Sequence, residues 1–136
     1  MIEVVNRQRK TKIDTEAWEA FAERAADAIG HGSSSATIAF VSDKTIRELN
    51  RQFRDVDRPT DVLSFPADDT DDSNLGDIAI SVDTASAQAK ENGLKFDEEV
   101  GQLILHGLLH LCGYDHETDN GEMNKLELRL RKKLAI

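Results

Sequence analysis

The chain has 136 residues, 39% of them hydrophobic and 32% charged, and a formal net charge of −9. With two prolines and eight glycines this is a globular composition, which excludes a collagen-like or disordered chain. The longest apolar candidate, Leu103 to Cys112, contains two histidines and falls short of the roughly 18 residues that a membrane span needs. A single cysteine cannot close an internal disulfide, and Met1 to Val5 lacks a basic region followed by a long apolar core. The expectation is one cytoplasmic domain over residues 1–136, with no membrane partner.

Ile2 to Val5 reads as an edge strand. Asp14 suits the cap of a helix in which Trp18, Phe21, Ala22, Ala25 and Ile29 recur at helical spacing, and Gly30 suits its stop. A Gly/Ser turn over 32–35 leads to a strand over 37–41. Ser42 suits the cap of a second helix that buries Ile46, Leu49 and Phe53. Pro59 breaks that pattern, a strand follows over 61–65, and Pro66 ends it. The acidic segment 67–74 reads as a solvated loop and 75–81 as a strand, so the strands 61–65 and 75–81 can pair antiparallel. Asp83 suits the cap of an alanine-rich helix ending near Gly93, and Asp97 the cap of the next. Thr118 opens a last amphipathic helix with Met123, Leu126, Leu130 and Leu134 on one face. The resulting class is α+β, a mixed sheet of about four strands packed by helices.

Charge is unevenly distributed. Residues 44–58 hold Lys44, Arg47, Arg51, Arg54 and Arg58 against Glu48, Asp55 and Asp57, whereas 67–77 hold five aspartates and no base. A net negative protein repels polyanions at long range, which sits awkwardly with a phosphate-bearing partner; the chain is acidic with one basic island, whose plainest reading is a solvated helix face. Its arginines recur four, three and four residues apart and line one face while the helix lasts.

Three of the four histidines fall within His106-Gly-Leu-Leu-His110-Leu-Cys-Gly-Tyr-Asp-His116. Residues four apart on a helix differ by only about 40°, so His106 and His110 project from one face, one turn apart. Gly113 can stop the helix in a left-handed conformation and turn the chain so that His116 reaches the same point. Three neutral imidazoles then hold one divalent ion and leave a position open for water; zinc is favoured, with nickel, copper and iron as competitors. A histidine pair at this spacing is often no site at all, but three with a glycine at the helix stop are harder to dismiss. His31 sits in the Gly/Ser turn and reads as surface. Cys112 lies about 200° round the helix from His110 and reads as a small buried hydrophobe.

The spacing also matches the zinc-protease pattern H-E-x-x-H-x-x-G-x-x-H, except that Gly107 stands where the catalytic glutamate belongs. Without that carboxylate, peptide hydrolysis lacks its proton carrier.

The histidine segment resembles the signature H-G-x-L-H-L-x-G-Y-D-H of the YbeY endoribonucleases, the bacterial rRNA maturation factors. Leu49-Asn50-Arg51-Gln52-Phe53-Arg54, Asp57-Arg58-Pro59-Thr60-Asp61-Val62-Leu63-Ser64-Phe65-Pro66 and Leu75-Gly76-Asp77-Ile78-Ala79-Ile80-Ser81 are similar to further blocks of that family. The resemblance implies a zincin-like domain and a zinc-dependent, single-strand-specific endoribonuclease acting in 16S rRNA 3′-end maturation and ribosome quality control. It implies one Zn²⁺ per chain on His106, His110 and His116, with Arg54 and His106 as the catalytic residues. The implied partners are single-stranded rRNA and the ribosome or its small-subunit proteins. Asp115 is a candidate to orient a ligand imidazole; Asp61 and Ser64 are explained by packing as well as by chemistry. The alternatives are another metallohydrolase, protease-like with a base from elsewhere in the fold, and a non-catalytic ribosome assembly factor with bound zinc.

Overall fold

The computed structural model describes residues 1–68, 73–115 and 119–136. Its elements run β1 (Ile2–Asn6), α1 (Thr15–Ile29), β2 (Ser35–Val41), α2 (Asp43–Arg54), β3 (Val62–Pro66), β4 (Asn74–Ser81), α3 (Val82–Glu91), α4 (Phe96–Leu111) and α5 (Glu122–Leu134). The four strands form one mixed sheet in the order β1-β2-β4-β3, as the α+β reading expects. β1 and β4 lie parallel to β2, while β3 pairs antiparallel with β4, Ser64 opposite Ile78.

Alternation along the strands sorts the core onto two faces. Ile38 and Phe40 of β2 and Ile78 and Ile80 of β4 join a large cluster with Phe21 and Ala25 of α1 and Ile104, Leu105 and Leu108 of α4. Met123, Leu130 and Leu134 carry α5 into the same cluster. The intervening residues Val41, Leu63 and Ala79 meet Ile46 of α2 on the other face. The sheet therefore separates α2 from α4, and only its edge strand β3 lies between their C-terminal ends.

Several helix starts follow the capping chemistry. The Asp14 carboxylate accepts from Ala17 N at 3.1 Å and Ser42 Oγ from Thr45 N at 3.3 Å. Four expectations need correction. Phe53 is not buried: it is 55% exposed, with its ring 5.3 Å from that of Phe65, because α2 has by then run out past the sheet edge. Ser81, not Asp83, caps α3, its hydroxyl accepting from Thr84 N; Asp83 instead accepts from Asp43 N at 2.9 Å and pairs with Lys10. α4 starts after Lys95 rather than Asp97, and Glu98 folds back to accept from Lys95 N at 3.0 Å. The last helix begins at Glu122; Thr118 lies outside the described residues, and Asp119 accepts from Gly121 N and Met123 N ahead of the first turn. Of the acidic loop, residues 69–72 also lie outside them.

Candidate metal and phosphate site

α4 is the element that sets the histidines. Its C-terminal end closes in a Schellman arrangement, with Gly113 N donating to His110 O at 3.0 Å and Tyr114 N to Leu109 O at 3.1 Å. Gly113 has φ of +97°, the left-handed conformation that its missing Cβ permits, so the expected helix stop is where the spacing put it. Two turns back, a Cβ on Gly107 would come within 2.9 Å of Ile78 Cδ1 and 3.2 Å of its Cγ2. Glycine lets α4 sit close on β4, and a glutamate has no room there. Ser64 Oγ donates to Gly107 O at 3.4 Å, tying β3 to the same turn.

The result is a cleft of about 520 Å³ lined by Arg54, Asp61, Ser64, His106, His110, Tyr114 and Asp115, among others. Across it His106 Nε2 and His110 Nε2 stand 3.1 Å apart. His106 Nδ1 lies 2.7 Å from Glu127 Oε1, and Glu127 Oε2 accepts from Arg131 Nη2 at 2.9 Å. A proton on Nδ1, shared with a carboxylate whose side chain is 7% exposed, leaves the Nε2 lone pair facing His110. Two nitrogens at tetrahedral positions about 2.0–2.1 Å from an ion stand about 3.3 Å apart, so the pair fits a zinc-sized cation. Among the described residues no three His, Cys, Asp or Glu side chains form a metal-holding group. His116, the third expected ligand, lies outside the described residues.

Arg54 arrives from the other side of the sheet. It ends α2, reaches round the edge strand and donates from Nη2 to Ser64 O at 2.8 Å, with its guanidinium 5.8 Å from the Phe65 ring centre. The rest of the basic face goes elsewhere. Arg47 forms a two-pronged pair with Asp57, Nε to Oδ1 at 2.9 Å and Nη2 to Oδ2 at 3.3 Å. That contact holds the Asp57 carboxyl below and the Arg47 guanidinium above their ordinary ranges. Arg47 and Arg51 line a separate groove, and Arg58 lies beyond the helix, its carbonyl accepting from Asn50.

Asp115 lines the cleft, but the carboxylate that orients His106 is Glu127, which sequence reasoning missed. Its signal was present: Met123, Glu127, Leu130 and Leu134 share the buried face of α5, an acid at an otherwise apolar position. Asp61 uses Oδ1 to accept from Val62 N at 2.7 Å while lining the cleft. Cys112 packs against the core and burial pushes its thiol up to about 11, as befits a small hydrophobe rather than a ligand. His31 follows α1 and does not line the cleft.

The chain is similar to known proteins along most of its length. The family described as Endoribonuclease YbeY matches residues 3–135. Proteins named Endoribonuclease YbeY from Koribacter versatilis and Aquifex aeolicus are 45% and 43% identical, over 98% and 90% of this chain and 86% and 83% of their own. One from Nautilia profundicola is 54% identical over 73% of this chain and 71% of its own. The solution structure of TM1509 from Thermotoga maritima superposes with a TM-score of 0.70 at 30% identity, covering 98% of this chain and 89% of that one. No helix among the described residues is long and apolar enough to cross a membrane. The chain belongs to the endoribonuclease YbeY family.

Proposed function

We propose that this chain is a single-domain, zinc-dependent endoribonuclease that cuts single-stranded RNA, acting in 16S rRNA 3′-end maturation and ribosome quality control. The ion is held by His106, His110 and His116, and Arg54 and His106 are the catalytic residues. One observation carries the reading: the His106–His110 pair and the Arg54 guanidinium, from opposite faces of the sheet, line one cleft. Family membership supports the substrate class.

A divalent ion bound there would lower the pKa of its water to about 7 and withdraw charge from a phosphoryl oxygen. The chain's own groups supply the rest. Glu127 holds the His106 proton at Nδ1 and Arg131 holds Glu127, so the ring presents Nε2 without having to reorient. Ser64 O and the Phe65 ring steady the Arg54 guanidinium, whose planar donors match two phosphoryl oxygens. A preorganised cation of this kind stabilises the charge that develops on the phosphate. The ribosome or its small-subunit proteins, in the cytoplasm, are the setting in which such a cut would be directed.

The test is product-end analysis on a defined RNA carrying the 16S 3′ precursor sequence, single-stranded and in a duplex, with metal-depleted protein as control. Metal-dependent internal cuts in the single strand alone are expected. Equal cutting of both forms, or none of either, would contradict the reading. Metal-dependent hydrolysis of casein in place of RNA would favour the protease-like alternative, against which the close packing at Gly107 already argues.

A further inference from the structure

A second cleft, of about 540 Å³, adjoins the first, and the two share Asp61, Val62 and His106. Gln88 of α3 and Glu99 and Gln102 of α4 line it, with Leu94 and Leu103 supplying apolar surface. A strand of RNA with a phosphate at the histidine pair would have its neighbouring nucleotide at this cleft.

Charge decides which part of a nucleotide suits it. Asp61, Glu99 and Glu127 all line the cleft, and its one cation among the described residues, Arg131, is bound to Glu127 at 2.9 Å. A phosphate is repelled here, whereas a neutral flat ring with hydrogen-bonding edges is not. The amides of Gln88 and Gln102 are half-buried and make no hydrogen bond to other described residues, so each keeps a donor and an acceptor to offer. Glu99 is only 4% exposed and has no cationic partner among the described residues; Asn92 Nδ2 donates to its Oε1 at 3.0 Å. A buried carboxylate with one neutral donor retains lone pairs for a further N–H.

We propose that this cleft holds the unpaired base next to the scissile phosphate, with Gln88 and Gln102 reading its edge. Glu99 then favours a base bearing an exocyclic amine (guanine, adenine or cytosine) over uracil. An exocyclic amine donates freely to the carboxylate, whereas the single N3–H of uracil lies between two carbonyl oxygens that bring like partial charge up to it. The inference rests on the ribonuclease reading above.

The experiment is sequencing of the product ends from a randomised single-stranded RNA cut by the zinc-loaded full chain, as parent and as Gln88→Ala, Gln102→Ala and Glu99→Gln. Glu99→Gln keeps the acceptor for Asn92 while removing the charge, and melting temperature is measured on each variant. The parent should disfavour uracil at one position flanking the cut by on the order of tenfold. Each folded variant should flatten that bias, Glu99→Gln most. A parent that cuts RNA without a flanking bias, or folded variants that all preserve it, would overturn the base-binding role and leave the ribonuclease reading standing. A parent that cuts no RNA would overturn both.

Discussion

Arg47 and Arg54 stand on one helix, seven residues and about two turns apart, and periodicity assigns them to the same face. Their surroundings differ. Arg47 is spent on Asp57 in an exposed groove, while Arg54, at the last residue of α2, passes the sheet edge and enters the histidine cleft. The histidines behave in the opposite way: their relation was set within a single helix and survived folding as the spacing implied, with Nε2 atoms 3.1 Å apart. Local spacing fixes geometry inside one element, whereas a role that depends on a neighbouring element is decided by the chain's path.

The hardest way to break the histidine side of this contrast is His110→Ala. It removes one of the two imidazoles that face each other, and metal analysis of the purified variant should show loss of most of the bound ion. A full equivalent retained per chain would remove the assignment.

The arginine side is sharpened by comparing Arg54→Ala with Arg47→Ala. Losing a preorganised cationic contact to the phosphate should slow RNA cleavage on the order of 10²-fold. Arg54→Lys should restore only part, since a point charge cannot match two oxygens. Arg47→Ala should change cleavage less than about threefold, because an exposed ion pair contributes little. Equal losses from the two alanines would make α2 a diffuse electrostatic patch.

Gly107 tests whether the glycine within the histidine turn is a packing residue. Gly107→Glu places a carboxylate against Ile78, itself 1% exposed, and should lower stability by roughly 3 kcal/mol. Gly107→Ala sets a gain of about 1 kcal/mol in helix propensity against contacts tight enough to displace Ile78, and should be mildly destabilising. Thermal melting decides, and a Gly107→Glu protein as stable as the parent would show that the helix lies more freely on the sheet.

The smallest effect concerns Cys112, just past the same helix. Burial holds its thiol protonated up to about 11, so alkylation of the folded protein should be slow at pH 8 and accelerate only towards pH 11. The stability linked to it is fully present below the ordinary thiol range and lost as pH rises through about 11. Rapid alkylation at pH 8 would place the thiol in solvent instead.

Much of this was legible from sequence where the signal was local. Asp14, Ser42, Gly30 and Gly113 act at short range, and each start or stop lies beside them. The α3 and α4 starts were misread because capping residues compete within two positions: Ser81 precedes Asp83, and Glu98 can serve Lys95 N before Asp97 serves anything. Phe53 follows the apolar spacing of α2 but overhangs the edge strand, which no periodicity reveals. Glu127 was missed for a related reason. Its position on the apolar face of α5 was readable, but its partner His106 is 21 residues away, and only the docking of α5 on α4 brings them to 2.7 Å.

If one ion in the histidine cleft is needed to cut RNA, cleavage of an end-labelled single-stranded RNA will follow zinc as it is titrated into metal-depleted protein. Activity should be absent at the start, rise in proportion to added zinc and reach its plateau at one equivalent per chain. Cleavage that is already complete in the depleted protein, and unmoved by zinc, would contradict the account.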